Sequence, residues 1–202
     1  MPARLVETGP LQPDGVHDET SFTGLDLSDQ DGRRSRFLGC VLERCVMDGV
    51  RLDDARLVGT SLSDVRATTL DLRRAELRDV TLDGCRVGAL QAYDAEAVRV
   101  TVTGGKLDHV SLRGARVRQV RLVGCVVGTL DLSRASVDTL VLDGVRLDRL
   151  DVTAARLSGV DLRGAELGAV DGPAGLAGAT VSAEQLVDLA PVLAAHLRIQ
   201  VV

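Results

Sequence analysis

The chain has 202 residues, 45% of them apolar but only 1% aromatic, and its net charge is −5. That length suits one domain or one elongated repeat body. The composition excludes a core built on broad aromatic rings, and the lack of any run of 18 apolar residues excludes a membrane-spanning helix. The acidic excess sits at the ends: residues 1–36 carry −3, residues 37–170 carry zero, and residues 171–202 carry −2. One Lys against 23 Arg, with no Asn and one Ile, reads as the usage of a GC-rich genome.

Residues 1–19 read as an N-terminal leader. MPARLVETGP lacks the apolar stretch of a secretion signal, so a cytoplasmic protein is expected. Residues 20–36 read as a loosened first coil that caps the repeat behind it. Phe22 and Leu27 already lie on the five-residue phase, Gly32 takes the next inward site, and QDGRR (30–34) loops without losing register. A repeat stack exposes its core at both ends, and Phe22 and Phe37 are large enough to plug a wide first layer.

From Phe37 to Leu167 every fifth residue is apolar: 27 positions held by 16 Leu, 6 Val, 3 Ala, one Phe and one Met. The residues two places before them, Ser35 to Ala165, are never charged. In extended chain, residues two apart share a face. The next inward residue comes three places later, so two residues must turn a corner. Four such sides close a coil of 20 residues, and coils stack about 4.8 Å apart. Residues 37–170 are therefore predicted as an all-β solenoid of about seven coils, a rod of roughly 30 Å. Leu52, Leu57, Leu72, Leu77, Leu112, Leu132, Leu162 and Leu167 would line it beside Phe22 and Phe37. Ala at 55, 75, 95, 115, 135 and 155, and Gly at 84, 104, 124, 144 and 164, repeat at the coil length. The residue ending each corner is Gly in 10 of 27 pentads, which predicts type II turns with φ > 0 there. Corners ending in Arg or Thr are expected to turn by type I or irregularly.

The phase breaks after Leu167. Residues 171–202 are predicted as a loop, a last coil and a C-terminal capping α-helix. Leu176 and Val181 resume the five-residue step one residue out of phase. Ser182 and Gln185 fit a capping box, and Leu186, Leu189, Leu193 and Leu197 form an apolar stripe at helical spacing. Pro191 removes a backbone donor, so a kink or break is expected there. RIQVV, residues 198–202, is expected as a short strand.

Little chemistry is legible. His17, His109 and His196 fall on a leader, a corner and a helix end, with no ligand set at metal spacing around them. Neither catalytic residues, nor a metal, nor a cofactor is expected, and the chain does not read as an enzyme. Gly104–Gly105 reads as a corner plus a small core residue, because the GK[ST] ending of a phosphate loop is missing. Cys40, Cys45, Cys85 and Cys125 occupy the small inward column and read as reduced core residues. The last three lie on one side, two coils or about 10 Å apart, beyond disulfide reach. Reduced thiols agree with a cytoplasmic setting.

Three outward columns are candidate surfaces. Arg66, Arg86, Lys106 and Arg146 share one side, with Val126 in the gap, and like charges so close mark a candidate anion or partner stripe. Asp64, Asp83 and Asp108 at neighbouring corners are the groups that would neutralise it. Val41, Ser61, Thr81, Thr101 and Val141 form a flat, weakly charged column suited to partner contact or to simple β-propensity. Asp71, Asp131 and Asp151 form an acidic strip diluted by Arg51, Gln91 and Ser111.

AELRD (75–79), ARLVG (55–59) and ARLSG (155–159) resemble the A-[DN]-L-x-x unit of pentapeptide repeat proteins, over about residues 20–182. GALQAYDAE (88–96), GGKLDHVSLRGA (104–115) and QLVDLAPVLAAHL (185–197) look like an actinobacterial subgroup. The resemblance implies a right-handed quadrilateral β-helix in a bacterial protein, and a homodimer through the C-terminal segment. It also implies the best-known role of the family, an acidic rod that mimics DNA, binds bacterial DNA gyrase and protects it from quinolones. B-DNA carries one charge per about 1.7 Å, so a faithful mimic of this length would show roughly 18 negative charges. The repeat body carries a net of zero. The favoured reading is a non-enzymatic scaffold or protein–protein interaction module with an unknown protein partner, and modulation of DNA gyrase is the alternative. Neither nucleic acid nor a membrane is expected as a partner.

Overall fold

The computed structural model describes residues 5–6 and 9–200. Among the described residues eighteen strands of 2 to 16 residues form one sheet in which every pairing is parallel, wound into a β-solenoid of about eight turns that ends in one α-helix. Strand partners lie 20 residues apart through the body: Leu57 opposes Leu77, Leu77 opposes Ala97, and Leu130 opposes Leu150. The step is 21 between Asp143 and Gly164, where the ladder slips, 15 between Leu5 and Thr20, and 19 between Val160 and Ala179. Four sides can be followed up the stack. The first holds Phe37, Leu57 and Leu77, the second Leu42, Leu62 and Leu82, the third Met47, Ala67 and Val87, and the fourth Leu52, Leu72 and Ala92.

The two uncharged columns point inward. Phe22, Phe37, Leu52, Leu57, Leu72, Leu77, Leu132 and Leu162 are buried in one continuous cluster, and Leu112 and Leu167 are half-buried against it. Layers of Leu, Val, Ala and Cys are thin, and a void of about 70 Å³ remains along the axis among Leu72, Leu90, Val110, Leu112 and Leu130.

Residues ahead of 20 join the stack as well. Val16–Asp18 pairs with Arg36–Leu38, which puts His17 in register with Phe37. His17 is thus half-buried inside the front layer rather than exposed on a leader. Its ring stacks on Phe37 at 4.8 Å and meets Phe22 edge-on at 5.3 Å. The phase itself carried the signal, since 17 is 37 less one coil. Gly32 leaves room at its inward site, and buried Leu11 fills it from outside the phase: a Cβ on Gly32 would lie 3.5 Å from Leu11 Cδ1 and 2.8 Å from Leu52 Cδ2.

The corners correct one expectation. Nine of the ten corner glycines have φ > 0, Gly164 being the exception. Yet Arg44, Arg74, Arg99, Arg134 and Thr139 are left-handed too, with φ between 54° and 69°. Stacking dictates this. At such corners the amide must donate to a carbonyl one coil up, as Gly84 does to Thr103 (2.9 Å), Arg74 to Tyr93 (3.0 Å) and Arg134 to Thr153 (2.8 Å). An L-residue there costs roughly 1–2 kcal/mol, and several recover part of it through the coil below: Arg34 pairs with Asp14, Arg74 with Asp54, and Arg99 with Asp79. The corner from the third side to the fourth differs. From Thr69 to Ala169 it has no left-handed residue, and strands such as Arg86–Gln91 and Lys106–Ser111 run straight across it.

At the C-terminal end a 3-10 turn, Pro173–Leu176, leads through Ala179–Thr180 into helix α1, Ala183–Leu197. The capping box forms as the sequence predicts: Gln185 N donates to Ser182 Oγ, and Ser182 N donates to Gln185 Oε1. The break expected at Pro191 does not form: helix α1 continues through it, and Pro191 lies on the exposed side together with Val187, the residue four places earlier whose carbonyl loses its amide donor. The face that packs on the last coil runs through Gln185 and Leu189 with Val192 and Leu193, whereas Leu186 and Leu197 stay more than half exposed. The anchor is polar. Gln185 Nε2 donates to Leu162 O (2.6 Å) and Ala165 O (2.7 Å), and this rotates the helix away from the leucine stripe. Residues 198–200 form no strand, and 201–202 lie outside the described residues.

Candidate interaction surfaces

The third side carries the basic column. Its strands hold Arg66 beside Arg86, Arg86 beside Lys106, Lys106 beside Val126, and Val126 beside Arg146. Lys106 pairs with Asp108 at 2.7 Å and Arg146 with Glu166 at 3.6 Å. Among the described residues Arg66 and Arg86 form no ion pair, and of the three corner carboxylates Asp64, Asp83 and Asp108 the last pairs with the column. Such exposed pairs are worth less than about 1 kcal/mol, so they hold Lys106 and Arg146 only weakly. Two hollows of about 560 Å³ open on the corner beside it. One is lined by Arg44, Asp64, Arg66 and Arg86 above the small floor of Gly84 and Gly105. The other lies against α1, where Arg146 and Arg163 face Glu166, Glu184 and Asp188.

The fourth side is acidic towards its C-terminal end. Asp131, Asp151 and Asp171 lie side by side on successive strands. Sequence reasoning missed Asp171 because the phase lapses after Leu167, although the strand Arg156–Asp171 carries the side one residue set further. Asp131 and Asp151 accept the amides of Ser133 (2.9 Å) and Thr153 (2.8 Å), and Asp171 meets Arg149. Asp71 is closed off by Arg73. Tyr93 sits at the corner that follows the fourth side, between Arg73 and Arg113, whose guanidinium carbons lie 5.8 and 5.4 Å from its ring centroid. The twenty-residue steps 73, 93 and 113 carry that contact and are visible in the sequence once the coil length is known. On the second side Val41, Ser61, Thr81, Thr101 and Val141 line up, with Arg121 between the last two.

His109 and His196 are exposed on a corner and on α1. Among the described residues no three His, Cys, Asp or Glu side chains gather as metal ligands. All four cysteines are buried and in reduced form. Cys45, Cys85 and Cys125 each donate to the carbonyl of a residue in the coil below, Phe22, Leu62 and Val102, at 3.4–3.5 Å. Burial pushes these three thiols up from their ordinary range. Among the described residues no helix is long and apolar enough to cross a membrane.

A parallel solenoid with four short sides and an apolar residue every fifth position defines the class. The chain carries pentapeptide repeats: the model for them matches in eight copies, over residues 33–64 and 45–87. No curated protein matches the sequence. Among solved structures, full-length QnrB1, a plasmid-mediated fluoroquinolone resistance protein, is 17% identical over 86% of this chain and 99% of its own, with a TM-score of 0.45. HetL, a pentapeptide repeat protein involved in heterocyst differentiation regulation from the cyanobacterium Nostoc sp. strain PCC 7120, is 19% identical over 79% of this chain and 85% of its own, with a TM-score of 0.28. Overlays this loose carry no functional argument.

Proposed function

We propose that the chain is a non-enzymatic scaffold whose outward columns present side chains to a protein partner, with the basic third side as the contact face. The observation that carries this reading is the register of Arg66, Arg86 and Lys106 on adjacent strands, with no ion pair on the first two. Like charges about 4.8 Å apart repel, and an acidic partner surface relieves that repulsion. The test is recovery of a specific protein from the native cytosol on immobilised wild-type chain, with Arg66→Glu/Arg86→Glu as comparator. A protein retained by the wild type and lost with the variant upholds the reading. A protein retained equally by both, or none at all, overturns it.

DNA gyrase is the alternative, and the run Asp131, Asp151 and Asp171 is the observation that favours it. Unchanged gyrase supercoiling at micromolar protein removes it. The C-terminal segment is the surface we assign to a second copy of the chain, because Leu186, Val187, Leu197 and Ile199 are 52–72% exposed there. A monomer by light scattering removes that contact.

A further inference from the structure

We propose that the C-terminal half of the first side binds a phosphate dianion, held over Ser136 between Arg116 and Arg156 with Arg118 beside them. This site is separate from the third-side contact face and stands without it. Arg116, Ser136 and Arg156 occupy one outward column on three successive strands, and Arg118, Asp138 and Ser158 occupy the next position on the same strands. The six line a hollow of about 450 Å³.

The same side shows, three coils lower, how the chain satisfies such a bracket itself. There Glu76 takes Arg56 from the coil below at 3.1 Å and Arg78 from its own strand at 3.1 Å. In the upper bracket the position equivalent to Glu76 is Ser136, so two arginines flank a short hydroxyl instead of a carboxylate. Arg156 leans over it and donates to Ser136 Oγ at 3.2 Å. Among the described residues Arg116 and Arg118 make no ion pair, although Glu96 is the strand neighbour of Arg116 and Asp138 that of Arg118.

Size and charge select the ligand. Arg116 and Arg156 are two strand spacings apart, about 10 Å. A tetrahedral oxyanion that accepts charge-assisted bonds of about 2.8 Å from a guanidinium on each side fills such a gap, and the planar fork of Arg suits phosphate oxygens better than a point charge does. Among the residues that line the hollow, three guanidiniums stand against the single carboxylate of Asp138, a surplus of two positive charges that suits a phosphate, while Glu96 lies one strand outside it beside Arg116. The phosphate is either a free anion or a phosphoserine on a protein, and both present the same dianion.

The test is titration of the full chain with inorganic phosphate at low ionic strength, followed by backbone amide spectra. Saturable shifts confined to residues 116–118, 136–138 and 156–158 are expected. Arg156→Gln weakens binding at least ten-fold. Ser136→Glu supplies the internal carboxylate that Glu76 supplies below, so it abolishes binding while the thermal midpoint holds or rises. A phosphoserine peptide titrated in parallel names the source: binding ten-fold tighter than inorganic phosphate assigns the site to a phosphorylated protein, and equal or weaker binding assigns it to the free anion. Shifts that do not saturate, shifts that appear equally around Arg66 and Arg86, or binding undiminished in both variants overturn the proposal.

Discussion

Gln185 joins the last coil to the helix that covers it, and Gln185→Ala removes that joint. The substitution deletes three side-chain hydrogen bonds: Nε2 to the carbonyls of Leu162 and Ala165, and Oε1 from the amide of Ser182. Each is worth about 1 kcal/mol net, so the loss is about 3 kcal/mol, concentrated at one end of the rod. Ser182→Ala removes only the bond from Gln185 N and costs about 1 kcal/mol. For a chain of this length, each kcal/mol moves the thermal midpoint by roughly 2–4 °C, so circular-dichroism melts should drop by about 6–12 °C for Gln185→Ala and about 3 °C for Ser182→Ala. Because each coil in a solenoid contacts only its neighbours, hydrogen exchange should localise the damage. Protection in Arg156–Asp171 falls by about two decades, and Glu96–Thr103 changes little. Equal shifts for the two variants, or loss of protection spread evenly along the rod, would refute the reasoning.

Thr139 is β-branched, yet its φ is 69°, so Thr139→Gly relieves left-handed strain and should raise stability by about 1 kcal/mol, read as a higher melting midpoint. Acid should act through the surface carboxylates. Arg163 holds the Asp161 carboxyl at about 2, and Arg34, Arg33, Arg74 and Arg99 hold Asp14, Asp31, Asp54 and Asp79 below their ordinary value. A lowered folded pKa stabilises above the unfolded value of about 4 and is lost as pH falls through the folded value. The midpoint should therefore hold from pH 7 to about 4 and decline between about 4 and 2, with Asp161→Asn flattening the lower part of that decline.

The sides and the inward lining were legible because a five-residue phase leaves no choice of face: moving Leu57 or Leu132 outward would carry a charge inside. The corners were only half legible. A glycine announces φ > 0, but Arg74 and Thr139 have the same backbone because their amides must reach the next coil, a demand set by stacking rather than by the residue. The front was underread since Leu11 enters off the phase to fill the space over Gly32, and His17 is polar where the phase asks for an apolar residue. At the other end, the spacing of Leu186, Leu189, Leu193 and Leu197 marked a helix but not its rotation, which Gln185 decides through two carbonyls outside the helix. The first-side bracket was missed for a plainer reason: Arg116, Ser136 and Arg156 are unremarkable one at a time, and only the twenty-residue spacing brings them together.

A unit of five inside a coil of twenty has a consequence for how such a chain can change length. Gain or loss of a single pentad leaves the lining intact, so the protein still folds, yet everything beyond the event swings by a quarter-turn. Five residues lost between Arg86 and Lys106 would carry Lys106 onto the side that bears Thr81. It would also set the straight corner that follows the third side against the bent ones. Only whole coils can be added or removed without scrambling the outside, because only a step of twenty keeps Arg66 to Arg146 on one side.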